Sequence, residues 1–131
     1  MSKLFIIFLM VVSLYGSALR WYGDYDTALE KAKEQQKILM VLLINNDSKQ
    51  SGEMVYKLFT NQPYIKKLKK EVVAVIVNNE SKASYPREMY WTNRYPTLFF
   101  VNSKSEIFLL QPVYNDIGAK EFETLLATVL N

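Results

Sequence analysis

At 131 residues, half of them hydrophobic and 22% charged, the chain is long enough for one domain with a closed core and too apolar for a disordered segment. Its formal net charge of +3 is too small an excess to argue for nucleic acid as a partner. It contains no cysteine and no histidine, which excludes disulfides, thiolate nucleophiles, covalent haem attachment, imidazole metal ligands and Ser-His catalysis. No cofactor or metal is expected on that basis.

In chain order, residues 1–18 read as an export signal. Lys3 supplies a positive start, Leu4 to Leu14 is an apolar run broken only by Ser13, and Gly16-Ser17-Ala18 offers small residues for cleavage. Cleavage after Ala18 would leave residues 19–131 as the mature domain. The run is well short of the ~20 apolar residues a membrane span needs, so no stable span is expected after processing. Without a cysteine behind it, the signal is not that of a lipid-anchored protein. The expected location is outside the cytoplasm, the periplasm if the source is a Gram-negative bacterium.

Trp21-Tyr22-Gly23 is a short lead-in. Asp24 is placed to cap a helix reaching about Gln36, with Tyr25, Ala28, Leu29 and Ala32 inward and Glu30, Lys31, Lys33 and Glu34 outward. Ile38–Ile44 is a continuous apolar run suited to a buried strand. Beyond it Met54, Val55, Leu58 and Phe59 recur at helical spacing, so a helix begins near Ser48. Asp47 or Ser48 would be its N-cap, and Gln50 stands three residues after Asp47, as in a capping box. A strand feeding a helix start leaves unpaired N–H groups and a partial positive charge at the tip.

Asn61-Gln62-Pro63 ends that helix and restarts the pattern over Tyr64 to Lys70. Lys66, Lys67, Lys69 and Lys70 form its outer face, read as a solvated surface in preference to an anion site. Val72–Val77 is a second apolar strand, and the two strands with their helix form a right-handed parallel βαβ unit. Asn78–Arg87 is polar loop, and Glu88–Tyr95 has room for one helical turn. Asn46-Asp47-Ser48 and Asn79-Glu80-Ser81 match the glycosylation triplet, a common match that matters only in a eukaryotic secretory pathway. Pro96 opens a strand over Thr97–Asn102, Ser103-Lys104-Ser105 turns, and Glu106–Leu110 is expected to pair back as a hairpin. Gly118–Leu130 closes the chain as a helix with Phe122, Leu125, Leu126 and Val129 on one face.

This order resembles the thioredoxin-like fold, in particular exported thioredoxin-related proteins that open with Trp/Tyr, an acidic helix start and a Lys before the first long strand. Ser48-x-x-Ser51-x-x-Met54 followed by Phe59 has the spacing of that family's C-x-x-C-x-x-M-x-x-x-x-F segment. Tyr95-Pro96-Thr97 resembles the loop whose proline is cis in the family and faces the active-site pair. The resemblance implies an α/β fold with a central four-stranded mixed sheet flanked by helices. The departures bear on function. Both family cysteines fall on serines, the preceding tryptophan falls on Asp47, and the buried acid found in many relatives falls on Leu42. A serine hydroxyl cannot cycle between dithiol and disulfide, and it stays protonated near neutrality.

What the resemblance leaves is a platform: a helix tip, a proline and the groove between them, which relatives use to hold extended peptide. Ser48, Lys49, Gln50, Ser51, Trp91, Tyr95 and Pro96 are the candidate binding residues, with Tyr90 as a further wall. The expected function is a redox-inactive module holding a polypeptide or protein partner. The alternatives are an enzyme without thiols, using Ser48 or Ser51 as nucleophile, and a small-molecule binder at the same tip. The enzyme would need Lys49, a carboxylate or a tyrosine as base.

Overall fold

The computed structural model describes residues 18–47 and 49–130. All but the last residue of the expected export signal therefore lies outside the described residues, as does Ser48. Among the described residues no helix is long and apolar enough to cross a membrane.

A five-stranded mixed sheet forms the centre. Its strands are β1 (Trp21–Tyr22), β2 (Ile38–Ile44), β3 (Val72–Asn78), β4 (Thr97–Val101) and β5 (Val113–Tyr114), in the spatial order β1-β3-β2-β4-β5. β1 and β2 lie parallel to β3, while β4 runs antiparallel to β2 and β5 antiparallel to β4. Four helices cover it: α1 (Tyr25–Gln35), α2 (Lys49–Phe59), α3 (Ile65–Glu71) and α4 (Ala119–Val129).

The strand period of two sorts each apolar run onto two faces. Met40, Leu42, Ala74, Leu98 and Phe100 face α2, α3 and α4, meeting Met54, Leu58, Leu68, Phe122 and Leu126. Leu39, Val41, Leu43, Val75, Phe99 and Val101 face the other way, against Tyr25, Ala28 and Ala32 of α1 and against Tyr90. Both faces are covered, which is why β2 and β3 read as unbroken hydrophobic runs. Leu42, at the position where many relatives carry an acid, is fully buried among these side chains.

Local chemistry sets the helix ends. The Asp24 carboxylate accepts from the Thr27 N–H (2.9 Å) and the Thr27 hydroxyl (2.6 Å), which caps α1 and holds that carboxyl below its ordinary range. At the other end Gln36 turns the chain in the left-handed region (φ 55) and donates to the Ala32 and Lys33 carbonyls.

Two expectations need correction. The sheet has five strands where four were expected, because Trp21 and Tyr22 pair in register with Ala74 and Val75. The hairpin partner of β4 is Val113–Tyr114 instead of Glu106–Leu110. After Val101 the turn closes tightly: Asn102 Oδ1 accepts from the Lys104 and Ser105 N–H groups, and Glu106 adopts φ 58. The returning chain makes one bridge, Val101 to Phe108, and stacks Phe108 on Phe99 with ring centroids 5.2 Å apart. It then leaves the edge, and β5 supplies the partner for Thr97 and Leu98.

Candidate binding site at the end of the sheet

The site forms where β2 hands over to α2. Residue pairing puts Leu43 opposite Thr97, so the end of β2 and Pro96 lie side by side. The Tyr95–Pro96 peptide bond is cis, as the resemblance implied, and Pro96 is buried.

The loop from β2 into α2 is held from β3. Asn79 N–H donates to the Ile44 carbonyl (2.9 Å), Asn78 Nδ2 to Asn46 Oδ1 (2.9 Å), and Asn46 N–H to the Glu80 carboxylate (2.8 Å). Asn79 also reaches across the site, its Nδ2 donating to the Tyr95 hydroxyl at 2.7 Å. Tyr95 in turn donates to the Thr92 carbonyl at 3.2 Å. The Thr92 hydroxyl accepts from the Arg94 N–H (3.1 Å), and the Thr97 hydroxyl donates to the Arg94 carbonyl. These bonds fix the turn that carries Trp91. Farther out, the Arg87 guanidinium donates to the carbonyls of Asn79 (2.7 Å) and Ser81 (2.8 Å) and lies 4.6 Å from the centre of the Tyr85 ring.

The expected site residues divide by exposure. Lys49 and Gln50 are exposed at the start of α2, and Ser48 falls outside the described residues. Trp91 is 74% exposed and its ring makes no aromatic contact with another described residue. Tyr95 is half-buried and tied into the turn. Ser51 is different. It is 6% exposed on the inner side of α2, and its Oγ is buried without a hydrogen-bond partner among the described residues. Among the described residues no base hydrogen-bonds to that hydroxyl.

Tyr90 is not a wall of the groove. It is 1% exposed, edge-on to Tyr25 and Phe99, with its hydroxyl 2.7 Å from that of Tyr25. Burial raises both phenols above their ordinary pKa. The aromatic cluster on the α1 side needs this ring, and its neighbour Trp91 is left outside.

Sequence reasoning missed the polar frame of Asn46, Asn78, Asn79, Glu80 and Thr92. The signal for it was the Asn-Asn-Glu run directly after β3, a composition that favours side-chain bonds to turn backbone. The amide of Asn79, in the second glycosylation-like triplet, is part of this frame through its bond to the Tyr95 hydroxyl.

A doubly covered mixed sheet, a helix springing from the end of a central strand and a proline turn beside it define a thioredoxin-like α/β protein. The chain belongs to the thioredoxin-like family, whose family model matches residues 20–103, more than half of the sequence. No curated protein matches it. Its fold is similar to that of a thioredoxin from Thermus thermophilus, at 20% identity and TM-score 0.65 over 86% of this chain and 87% of that one. It is also similar to the DsbH oxidoreductase (17% identity, TM-score 0.61, 86% and 85% covered). A third similar chain comes from a complex of ferredoxin:thioredoxin reductase and thioredoxin f2 (19% identity, TM-score 0.53, 86% and 93% covered). At these identities the likeness is one of fold. The redox pair is absent, because the sequence has no cysteine.

Proposed function

We propose that this chain is an exported, redox-inactive thioredoxin-fold module that holds a polypeptide or protein partner in the groove beside Pro96. In this reading residues 1–18 are removed on export, and residues 19–131 form the working domain. Trp91 is the anchor, Pro96 and Tyr95 form the floor and wall, and Lys49 and Gln50 at the start of α2 border the opening. The observation that carries the reading is Trp91, a large ring left 74% exposed on a turn fixed by its own hydrogen bonds. A rigid exposed aromatic loses little entropy on docking, and tryptophan is the residue most enriched among interface anchors. Support also comes from the similar thioredoxin fold found in a complex with a reductase.

Trp91→Ala is the test. Partners captured by the mature chain from the exported fraction should bind the variant about tenfold more weakly, as central interface aromatics do. The melting midpoint should barely move, since exposed side chains of this kind contribute within about 0.5 kcal/mol of stability. Tyr95→Ala is the poorer probe, because it also cuts the bonds to Asn79 and Thr92. Unchanged capture by Trp91→Ala would refute the groove. Mass measurement of the exported protein checks the cleavage after Ala18.

A further inference from the structure

The end of the sheet opposite the serine tip carries a second cleft, of ≈ 840 Å³. It opens between the last turn of α1, the start of β2 and the turn that follows β4. β2 has seven residues, so at ~3.3 Å each the cleft and the tip stand about 20 Å apart. Nothing in the cleft belongs to the groove beside Pro96.

Its charge is one-sided. Lys33, Lys37 and Lys104 line it, and among the described residues no Asp or Glu does. Lys33 and Lys104 have no ion pair or side-chain hydrogen bond among the described residues. Lys37 also lines the cleft, but its ammonium reaches the Lys69 carbonyl at 3.4 Å, and Lys69 borders a separate cleft beside Val72 and Val73. The C-terminus of α1 opposes this charge with roughly half a negative charge. That term is small against the Lys33 and Lys104 ammonium groups, and the Ala32 and Lys33 carbonyls are already taken by the Gln36 and Lys37 N–H groups.

Between the cations lie aliphatic side chains. Ile38 and Leu109 line the cleft, and Ile107, 64% exposed, stands close by in sequence on the same returning segment. Among the described residues no aromatic ring lines it, so they offer no platform for a nucleotide base. Its volume is in the range of clefts that enclose organic ligands of ~300–1,000 Å³, far more than one phosphate would fill. We propose that this cleft docks an acidic, leucine-bearing stretch of a partner polypeptide, its carboxylates meeting Lys33 and Lys104 and its aliphatic side chains meeting Ile38 and Leu109. The inference stands apart from the groove and gives the domain a second contact at its far pole.

The probe is a labelled short peptide alternating glutamate and leucine, titrated by fluorescence anisotropy against the folded mature chain. Binding should saturate and weaken as salt rises. Lys33→Gln with Lys104→Gln should weaken it about tenfold, the effect of losing two partly exposed ion pairs. Both lysines are exposed, so this variant should melt with the parent. Lys66→Gln with Lys70→Gln removes equal charge from the exposed face of α3 and should change affinity less than about twofold. Leu109→Ser should weaken the glutamate-leucine peptide but not an all-glutamate one. Equal losses from the two lysine pairs would mean diffuse attraction and overturn the proposal. Absence of saturation would overturn it too. So would citrate or inorganic phosphate binding more tightly than the peptide, which would make the cleft a small-anion site.

Discussion

Replacing Ser51 by alanine removes one buried oxygen and nothing else that α2 uses. Ser51 lies on the same helix face as Met54 and Leu58, three and seven residues on, both essentially inaccessible. Its Oγ has no partner among the described residues. A buried donor left unpaired costs about 1–3 kcal/mol relative to water, and alanine is the better helix former by about 0.5 kcal/mol. Against these stands the packing of one lost atom, less than the ~0.8 kcal/mol of a buried methylene. The sum favours alanine by about 1 kcal/mol or more. For a domain of this size that raises the melting midpoint by roughly 4 °C.

Urea unfolding followed by tryptophan fluorescence should therefore show Ser51→Ala with a higher midpoint and an unchanged slope, the signature of altered stability without altered surface exposure. Partner binding should be untouched, because the hydroxyl does not reach the opening. A variant about 1 kcal/mol less stable than the parent would refute the reasoning. It would show that the hydroxyl donates to a backbone carbonyl one turn back, as serines within helices can.

Gln36→Gly should stabilise the fold by about 0.5–1 kcal/mol, seen as a higher urea midpoint, because Gln36 holds φ 55 where glycine has no steric cost. Tyr64 is pushed up to about 12 from 10.0, first by burial and then by the Glu123 charge, while its hydroxyl donates to the Leu58 carbonyl. Its protonated form is thus favoured in the folded state. The contribution is complete below pH 10 and is lost as pH rises from 10 towards 12. Unfolding midpoints measured across that window should fall, and Tyr64→Phe should fall less steeply. Tyr25, Tyr85 and Tyr90, whose pKa values burial also raises, contribute to the slope that remains in the variant.

The long elements were legible because their physics is local. Ile38–Ile44 coincides with β2, Val72–Val77 matches β3 to within one residue, and Asn61-Gln62-Pro63 separates α2 from α3. β1 was not legible. Two residues carry no period, and Trp21–Tyr22 is a strand only because Ala74 and Val75 lie alongside. The misplaced hairpin has the same origin. Ile107–Leu110 is an apolar run, but Ile107 and Leu109 are exposed, and the edge of β4 is taken by Val113–Tyr114, a segment that starts well past the turn at Asn102–Glu106. At the site the resemblance supplied Pro96 and the helix tip. It could not say that Tyr90 turns inward to meet Tyr25 while Trp91 turns out, since neighbouring aromatics look alike in sequence.

The polar frame beside Pro96 does not depend on Ser51, one of the two positions that the resemblance aligns with the family's redox pair. The loop into α2 is tied from β3 by Asn46, Asn78, Asn79 and Glu80, and the proline turn is tied by Tyr95, Thr92 and Thr97. None of the bonds in this frame uses Ser51, which touches the fold through its buried position alone. A thiol-to-hydroxyl exchange at that position therefore leaves the groove standing while adding one unpaired polar atom to the core. In the proposed reading the cost falls on stability and the use on Trp91, two quantities with separate measurements. In the Ser51→Ala, Trp91→Ala double variant, the urea midpoint should follow the first substitution and partner affinity the second, with each shift equal to that of its single variant. Coupling between them would mean that the core position and the exposed ring communicate through the turn, and the division of labour drawn from the hydrogen bonds would fail.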